Sequence, residues 1–314
     1  MNSRCRSIVW CFLVVWAGVF SCAAGEKIRV VTTILPVYCF AKNIAGDLAD
    51  VSSLLESGVG PHDFQYKASD LSRLKQADIV VLNGLGLESW MQRALESSKP
   101  TGRMRLVVEA SSGLKSELIY HVTELQLGGD MKKETKVHDH DHGHDMANPH
   151  TWLNPRLAMH AVTNILQAFQ KADPGNAPRY AENARQYLER LSTLDSELDT
   201  ALKPLRQKAF VVFHDAFPYF TSRYQLRMVG VIEEVPDVEP TLKYLSNLTK
   251  TIRKNGVKVI FAEPQFPVPL AKRIASDTGV RLSELDPLET GRFEPTAYED
   301  GLRQILKTLV NELK

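Results

Sequence analysis

The feature that most constrains the fold is an uninterrupted helical pattern in the middle of the chain. Between residues 179 and 203 there is no glycine or proline. Apolar side chains recur there every three or four positions, as on one side of an α-helix. They include Tyr180, Ala184, Tyr187, Leu191, Leu194, Leu198 and Leu202. At ~1.5 Å per residue the pattern predicts a helix about 40 Å long, which can act as a rigid strut between two folding units.

Short β-branched runs alternate with helical patterns on both sides of this strut. The predicted strands are residues 27–33, 78–83, 106–108, 209–213, 225–231 and 257–261. The predicted helices after the strut are residues 241–255, 269–278 and 298–313. Because the strand-like runs are continuously apolar, they favour parallel sheets covered by helices on both faces. The predicted fold class is therefore α/β, with two (β/α) lobes joined by one long rigid helix.

The length of the chain limits the number of its domains, and its charge limits the kinds of partner it can bind. A chain of 314 residues exceeds what one hydrophobic core usually supports. We predict a first lobe at 25–176, the connecting helix at 177–205 and a second lobe at 206–314. Lys plus Arg number 38 against 37 Asp plus Glu, a formal charge of +1. That balance leaves no cationic excess for a phosphate backbone and argues against nucleic-acid binding.

Residues 1–24 have the composition of a secretory signal peptide. Two arginines precede an apolar run, and small residues follow it at 21–25. The run is shorter than the ~20 residues of a permanent span, so we expect cleavage. Either Cys22 becomes a lipidated N-terminus or ordinary signal peptidase cuts near Ala23, and the sequence leaves this open. Both routes place the mature chain in the periplasm or on the extracytoplasmic face of the cytoplasmic membrane.

Three histidines occupy distinctive strings, each ahead of a predicted helix: His62 in GPHDF, His150 in NPHTWLNP and His214 in HDAFPYF. Asp286 follows a short strand near residue 280 in the same way. Polar groups at the carboxyl ends of parallel strands form the ligand sites of α/β folds. Three imidazoles and one carboxylate suit tetrahedral Zn²⁺, so we predict a metal site in the cleft between the lobes.

A second group of histidines lies in a predicted loop at 130–147. The loop has no periodicity and carries His138, His140, His142 and His144, interleaved with aspartates. These imidazoles form a candidate accessory metal site. The loop is a low-affinity zinc collector, a second zinc site or merely a solvated polar tract, and the sequence does not decide among the three.

Five strings together resemble one family. They begin at Gly60, Asn83, Asn148, His214 and Phe261. They look like the zinc-binding components of bacterial ABC importers, the ZnuA-like members of the cluster A-I solute-binding proteins, from about Ile28 onward. The resemblance implies two (β/α) lobes joined by a long helix, one metal in the cleft, and delivery to a membrane permease with its ATPase. We expect a monomer.

Carried over by position, the family's metal ligands fall on His62, His150 and His214. Asp286 falls on a C-terminal acidic position that is a ligand in some members. Where some zinc members have Glu before the first ligand, this chain has Pro61, so Asp286 or water is expected to complete the shell. Some members also have a second-lobe disulfide, whereas this chain has no cysteine after Cys39.

The metal and the class of activity both have alternatives. Manganese-carrying relatives resemble this plan but have Glu where this chain has His214, and imidazole favours Zn²⁺ over Mn²⁺ or iron. A three-histidine zinc site could also serve a hydrolase. The sequence contains neither HExxH nor G-x-S-x-G. We therefore predict a binding protein rather than an enzyme. Glu263 follows a predicted strand, and we do not assign it to the metal.

Deleting residues 137–146 is expected to leave one tight zinc site per chain, because the predicted ligands of the cleft lie outside that segment. Isothermal titration of the deletion variant with Zn²⁺ measures this. Complete loss of tight binding would place the main site in the histidine-rich loop instead.

Overall fold

The structure, a computed structural model, describes residues 26–62, 64–98, 106–120, 147–233, 239–266 and 268–314. The predicted signal peptide at 1–24 and the four histidines His138, His140, His142 and His144 lie outside these ranges. Within them, every helix is too short or too polar to cross a bilayer.

The first lobe is built on a parallel four-stranded sheet. Its strands are β1 (Ile28–Thr32), β2 (Ala49–Ser53), β3 (Ile79–Leu82) and β4 (Leu106–Glu109), in the order β2-β1-β3-β4. Its helices are α1 (Leu35–Ala45), α2 (Ala68–Gln76), α3 (Met91–Ser98) and α4 (Pro155–Ala172). β3 lies inside the sheet and is buried along its whole length, as its unbroken apolar run predicts.

The second lobe repeats the arrangement. Its strands are β5 (Ala209–His214), β6 (Arg227–Glu233), β7 (Val259–Ala262) and β8 (Arg281–Glu284), in the order β6-β5-β7-β8 and all parallel. Its helices are α6 (Pro218–Tyr224), α7 (Leu242–Lys254), α8 (Pro269–Thr278) and α9 (Ala297–Glu312). Two parallel-sheet α/β lobes confirm the predicted fold class.

The predicted strut is helix α5 (Ala177–Leu202), 26 residues long, between the two lobes. Its buried side chains recur at the spacing seen in the sequence and pack with α1, α4 and α9. Asp195 ties this helix to its neighbours. Its carboxylate accepts hydrogen bonds from Arg223 Nε (2.9 Å), Tyr224 Oη (3.0 Å) and Arg156 Nε (3.1 Å). One buried carboxylate on the strut thus binds to helices of both lobes.

Some predicted elements differ in their limits or were not predicted. The strand predicted at 225–231 begins at Arg227, because Gln225 ends α6 in a left-handed conformation with φ 53°. Strand β2 was not predicted, since its sequence ADVSS has no apolar run. Helix α1 was also missed, because it is apolar on most sides and has no clear polar face.

The segment between β8 and α9 belongs to the second lobe by sequence, yet it also hydrogen-bonds to the first. Trp152 Nε1 donates to the carbonyl of Pro287 (2.7 Å), and Asn43 Nδ2 donates to that of Pro295 (2.8 Å). Cys39 Sγ also donates to the carbonyl of Glu294 at 3.2 Å. We call residues 285–296 the tethered loop.

Replacing Asp195 with asparagine should lower the free energy of unfolding at neutral pH by about 1–3 kcal/mol, since the charge of a carboxylate that accepts four hydrogen bonds is removed. Burial raises the pKa of Asp195, but the bonds from Arg223, Arg156 and Tyr224 outweigh it and leave the pKa below its usual value. The native stabilisation is therefore present above pH ~4 and is lost as the pH falls through the lowered pKa.

Urea unfolding at pH 7 and pH 3 measures the difference. Asp199→Asn is the control, because that carboxylate is half exposed and lies 3.4 Å from Arg223. An equal decrease in stability for both variants would show that Asp195 has no special role.

Candidate metal centre

The site forms where the carboxyl ends of the two sheets approach each other. His62 lies in the loop after β2, and His150 immediately precedes a 3-10 turn (Thr151–Leu153) that leads into α4. His214 is the last residue of β5. The structure thus brings together the three histidines singled out in the sequence, from both lobes.

The fourth group is Glu289, from the tethered loop. Its Oε1 lies 2.8 Å from His150 Nε2, 3.3 Å from His214 Nε2 and 3.5 Å from His62 Nε2. The imidazole nitrogens Nε2 of His150 and His214 are 3.2 Å apart. One candidate ligand atom from each of the four residues lies within 4.8 Å of the other three.

This spacing fits a tetrahedral metal. Ligand atoms bound at ~2.05 Å to a tetrahedral Zn²⁺ are on the order of 3.3 Å apart. The distances just given range from 2.8 to 3.5 Å, so an ion fits among the four groups with small shifts of the side chains. Three nitrogens and one oxygen are a donor set that suits Zn²⁺.

His150 is oriented by the residue two positions before it. Asn148 Oδ1 accepts a hydrogen bond from the backbone nitrogen of His150 (3.0 Å) and lies 2.9 Å from its Nδ1. Asn148 is itself fixed, because its Nδ2 donates to the carbonyl of Asp215 at 2.6 Å. With Nδ1 as the donor, His150 keeps the Nε2 lone pair directed at the site. The NPH string therefore contains both the imidazole of His150 and the side chain that orients it.

His214 is oriented by Glu263, which follows β7. Glu263 Oε2 lies 2.6 Å from His214 Nδ1, and its Oε1 accepts from the backbone nitrogen of His214 at 3.1 Å. Both side chains are almost completely buried. A carboxylate on Nδ1 fixes the ring and makes its Nε2 a stronger ligand. The sequence alone does not assign Glu263 to the site. Its position just after a predicted strand is the one signal that could have placed it there.

Burial and charge set the protonation of the groups in the cluster. Burial lowers the pKa of His150 to about 4, so this imidazole is neutral at pH 7 and ready to act as a ligand. Burial also opposes charge on His214, but Glu263 and Glu289 outweigh it and raise its pKa well above the usual value. For Glu289, burial raises the pKa, yet His214 and the bonded imidazoles hold it well below its usual value. Two buried carboxylates would balance the charge of one divalent cation.

The structure places Glu289, and not Asp286, beside the imidazoles. Asp286 lies outside the cluster, and its Oδ1 accepts a hydrogen bond from the backbone nitrogen of Leu288 at 2.8 Å. That bond closes a turn in which Leu288 is left-handed, with φ 65°. Gly301 makes room for this turn, since a Cβ there would lie 2.2 Å from Leu288 Cδ2. The chain therefore returns toward the site one residue later, with Glu289.

Access to the cluster is from one side. The side chain of His62 is 23% exposed, whereas those of His150, His214 and Glu289 are at most 2% exposed. A cavity of about 460 Å³ opens beside His62. Its walls include Phe64, Tyr66, Trp90 and Arg93. An ion entering from solvent would meet His62 first.

Comparison with known proteins identifies the family of this chain. The profile described as "Zinc-uptake complex component A periplasmic" matches residues 30–312. The chain is 36% identical over 275 residues to zinc-binding protein AdcA of Streptococcus pyogenes serotype M3, an alignment that covers 85% of this chain and 51% of AdcA. It thus spans about half the length of the AdcA relatives. It is 33% identical over 290 residues to the high-affinity zinc uptake system protein ZnuA of Bacillus subtilis, covering 92% of this chain and 88% of that protein.

The fold is also similar to a solved structure, a Zn(II)-bound variant of AdcAII of Streptococcus pneumoniae. The TM-score is 0.78 at 28% identity, covering 92% of this chain and all of the other.

Glu263→Gln is expected to lower the affinity for Zn²⁺ by about 10- to 100-fold, since the partner of the candidate ligand His214 loses its charge. Competition with a chromophoric chelator measures the change. Glu284→Gln is the matched control, because that side chain is exposed at the end of β8. Unchanged affinity of the Glu263 variant would mean that His214 does not bind the metal.

Proposed function

The chain belongs to the zinc-uptake complex component A family, and we propose that it captures one Zn²⁺ outside the cytoplasm and delivers it to an ABC-type importer. Zinc is the cargo, and its proposed ligands are His62, His150, His214 and Glu289. The observation that carries the proposal is the convergence of these four side chains, from both lobes, within 4.8 Å.

Zinc rather than manganese follows from the donor set. Three imidazoles and a single carboxylate offer mostly nitrogen, whereas Mn²⁺ favours sites dominated by oxygen and accepts six ligands. The side chains of His150, His214 and Glu289 are at most 2% exposed, so an octahedral ion could take its additional waters only from the side of His62. A manganese- or iron-carrying relative is therefore the weaker alternative.

Binding rather than catalysis follows from the completeness of the shell. A hydrolytic zinc site keeps one position open for water, with three protein ligands. Here four protein groups offer ligand atoms that all lie within 4.8 Å of one another, enough to supply all four positions of a tetrahedral ion. Glu263 is occupied by His214 and is not poised to take a proton from an attacking water. A zinc hydrolase is the function that this geometry disfavours.

The same proposal includes the roles of the two lobes, the importer as partner and the location of the protein. The first lobe (25–176), the connecting segment (177–205) and the second lobe (206–314) enclose the ion between them, and the mature monomer presents it to the permease of the importer, whose ATPase drives uptake. The segment 1–24 directs export, and Cys22 is the residue through which a lipid anchor would attach. The family relationship supports an extracytoplasmic location.

Isothermal titration of the metal-free mature chain should give one tight zinc site per molecule. His214→Ala should weaken it by more than about 100-fold, because removing a ligand outright costs more than removing a ligand's partner, which costs 10- to 100-fold. His160→Ala is the control, since His160 lies outside the cluster with Nε2 2.7 Å from the carbonyl of Ser112. Binding of Mn²⁺ should be much weaker.

Equal effects of the two histidine substitutions would contradict the site. Rapid turnover of ester or phosphoester substrates by the zinc-loaded protein would contradict the assignment as a binding protein.

A further inference from the structure

The amino-terminal edge of the second sheet carries a row of cations. Lys208 and Lys258 immediately precede β5 and β7, while Arg227 and Arg281 begin β6 and β8. The backbone nitrogen of Arg227 donates to the carbonyl of Lys208 (2.8 Å), and that of Arg281 to the carbonyl of Lys258 (3.0 Å). Since neighbouring strands lie ~4.8 Å apart, these four residues follow one another along the edge.

The helices on the two faces of the sheet extend this row into a broad surface. Alternate residues of β5 belong to two different cores, one shared with α5 and the other with α7, so these helices cover opposite faces. Lys203 follows the end of α5, and Arg253 and Lys254 end α7. We define the basic face as Lys203, Lys208, Arg227, Arg253, Lys254 and Lys258.

Hydrogen bonds between these segments place them on one surface. Gln207 Nε2, beside Lys208, donates to the carbonyl of Gly256 (2.8 Å), just after α7. The side chain of Arg227 donates to Asn255 Oδ1 (2.9 Å), in the same turn. Arg253 donates to the carbonyl of Asp277, at the end of α8. The basic face is therefore continuous from α5 to α8.

The positive charge of this face is not neutralised locally. Among the residues that the structure describes, no carboxylate forms an ion pair with any of the six cations. The nearby acids pair with other cations: Glu312 with Arg281 (2.9 Å), Asp277 with Arg273 (3.6 Å) and Asp199 with Arg223 (3.4 Å). Five of the six side chains are exposed, and Lys208 is half-buried. In a chain of net charge +1, this is a marked concentration.

The corresponding edge of the first sheet provides an internal comparison. Around the starts of β1 and β2 the exposed charges are mixed: Glu26, Lys27, Asp47 and Asp50. The row of exposed cations at the start of the second sheet is therefore not repeated at β1 and β2 of the first. The metal cluster lies at the opposite, carboxyl edge of the second sheet, so a partner on the basic face would leave the metal cleft free.

We propose that the basic face binds a sulfated polysaccharide. Its Arg and Lys side chains can donate hydrogen bonds to sulfate oxygens, and they are spread over the strand edge and over helices on both faces of the sheet. Basic clusters of this kind attract linear polyanions. Of the large apolar residues that are exposed in the described ranges, none lies here: they are Val59, Val107, Tyr120 and Leu242. Insertion into a bilayer would call for an apolar face and a protein partner for a buried apolar anchor, so both fit less well.

The test uses the full mature chain, with heparin as the probe. The variant Lys203→Gln, Lys254→Gln, Lys258→Gln is compared with the control Lys75→Gln, Lys115→Gln, Lys171→Gln, which removes the same charge from exposed sites of the first lobe. Heparin binding should weaken at least about tenfold in the first variant, and its salt slope should become shallower by roughly one for each lysine that no longer pairs with a sulfate. The control should match the parent.

The proposal would be overturned by equal weakening in both variants, by unchanged heparin binding in the first variant, or by tighter binding to phosphatidylglycerol vesicles than to heparin. Single-stranded DNA of equal charge that binds as tightly as heparin would also overturn it, because the surface would then not select sulfate. Zinc titration should give the same affinity for the parent and both variants. If all three proteins fail to bind zinc, the proposed transport role is refuted, whereas the proposed binding of a sulfated polysaccharide is not affected.

Discussion

The buried carboxylate of Glu289, surrounded by three imidazoles, is the interaction on which the rest of the arrangement depends. An isolated carboxylate removed from water is costly, and it persists in a protein interior only when it is paired and hydrogen-bonded. Here its partners come from both lobes, and Glu263 provides a second buried charge behind His214. The cluster therefore requires both lobes to be folded and packed against the same strut before Glu289 has all of its partners.

Much of this organisation is visible in the sequence because it is encoded locally. The 3.6-residue spacing of apolar side chains predicts α5, and the unbroken apolar runs predict β3, β5 and β7 as members of parallel sheets. Rules of parallel α/β sheets then place residues that follow strands at one edge. His214, directly after an apolar run, follows from that rule, and the NPH string contains both the imidazole of His150 and the amide that orients it.

Other parts depend on tertiary packing that no local pattern records. The choice between Asp286 and Glu289 is decided by a turn at Leu288, which Gly301 accommodates from within helix α9. Glu263 could be seen to follow a strand, but its pairing with His214 depends on β5 and β7 lying side by side in the sheet. Strand β2 is specified by its neighbour β1 more than by its own composition. These are tertiary effects, and they override weak local preference.

The tethered loop connects the site to both lobes. It hydrogen-bonds to Trp152 and Asn43 of the first lobe, whereas the Oε2 atom of its Glu289 accepts from Gln265 Nε2 (3.3 Å), just after β7 of the second. His62 and His150 belong to the first lobe, and His214 ends a strand of the second. If the sheets tilted apart, Glu289 would have to break one of these sets of bonds, so separation of the lobes and loss of the ion would be coupled through this one carboxylate.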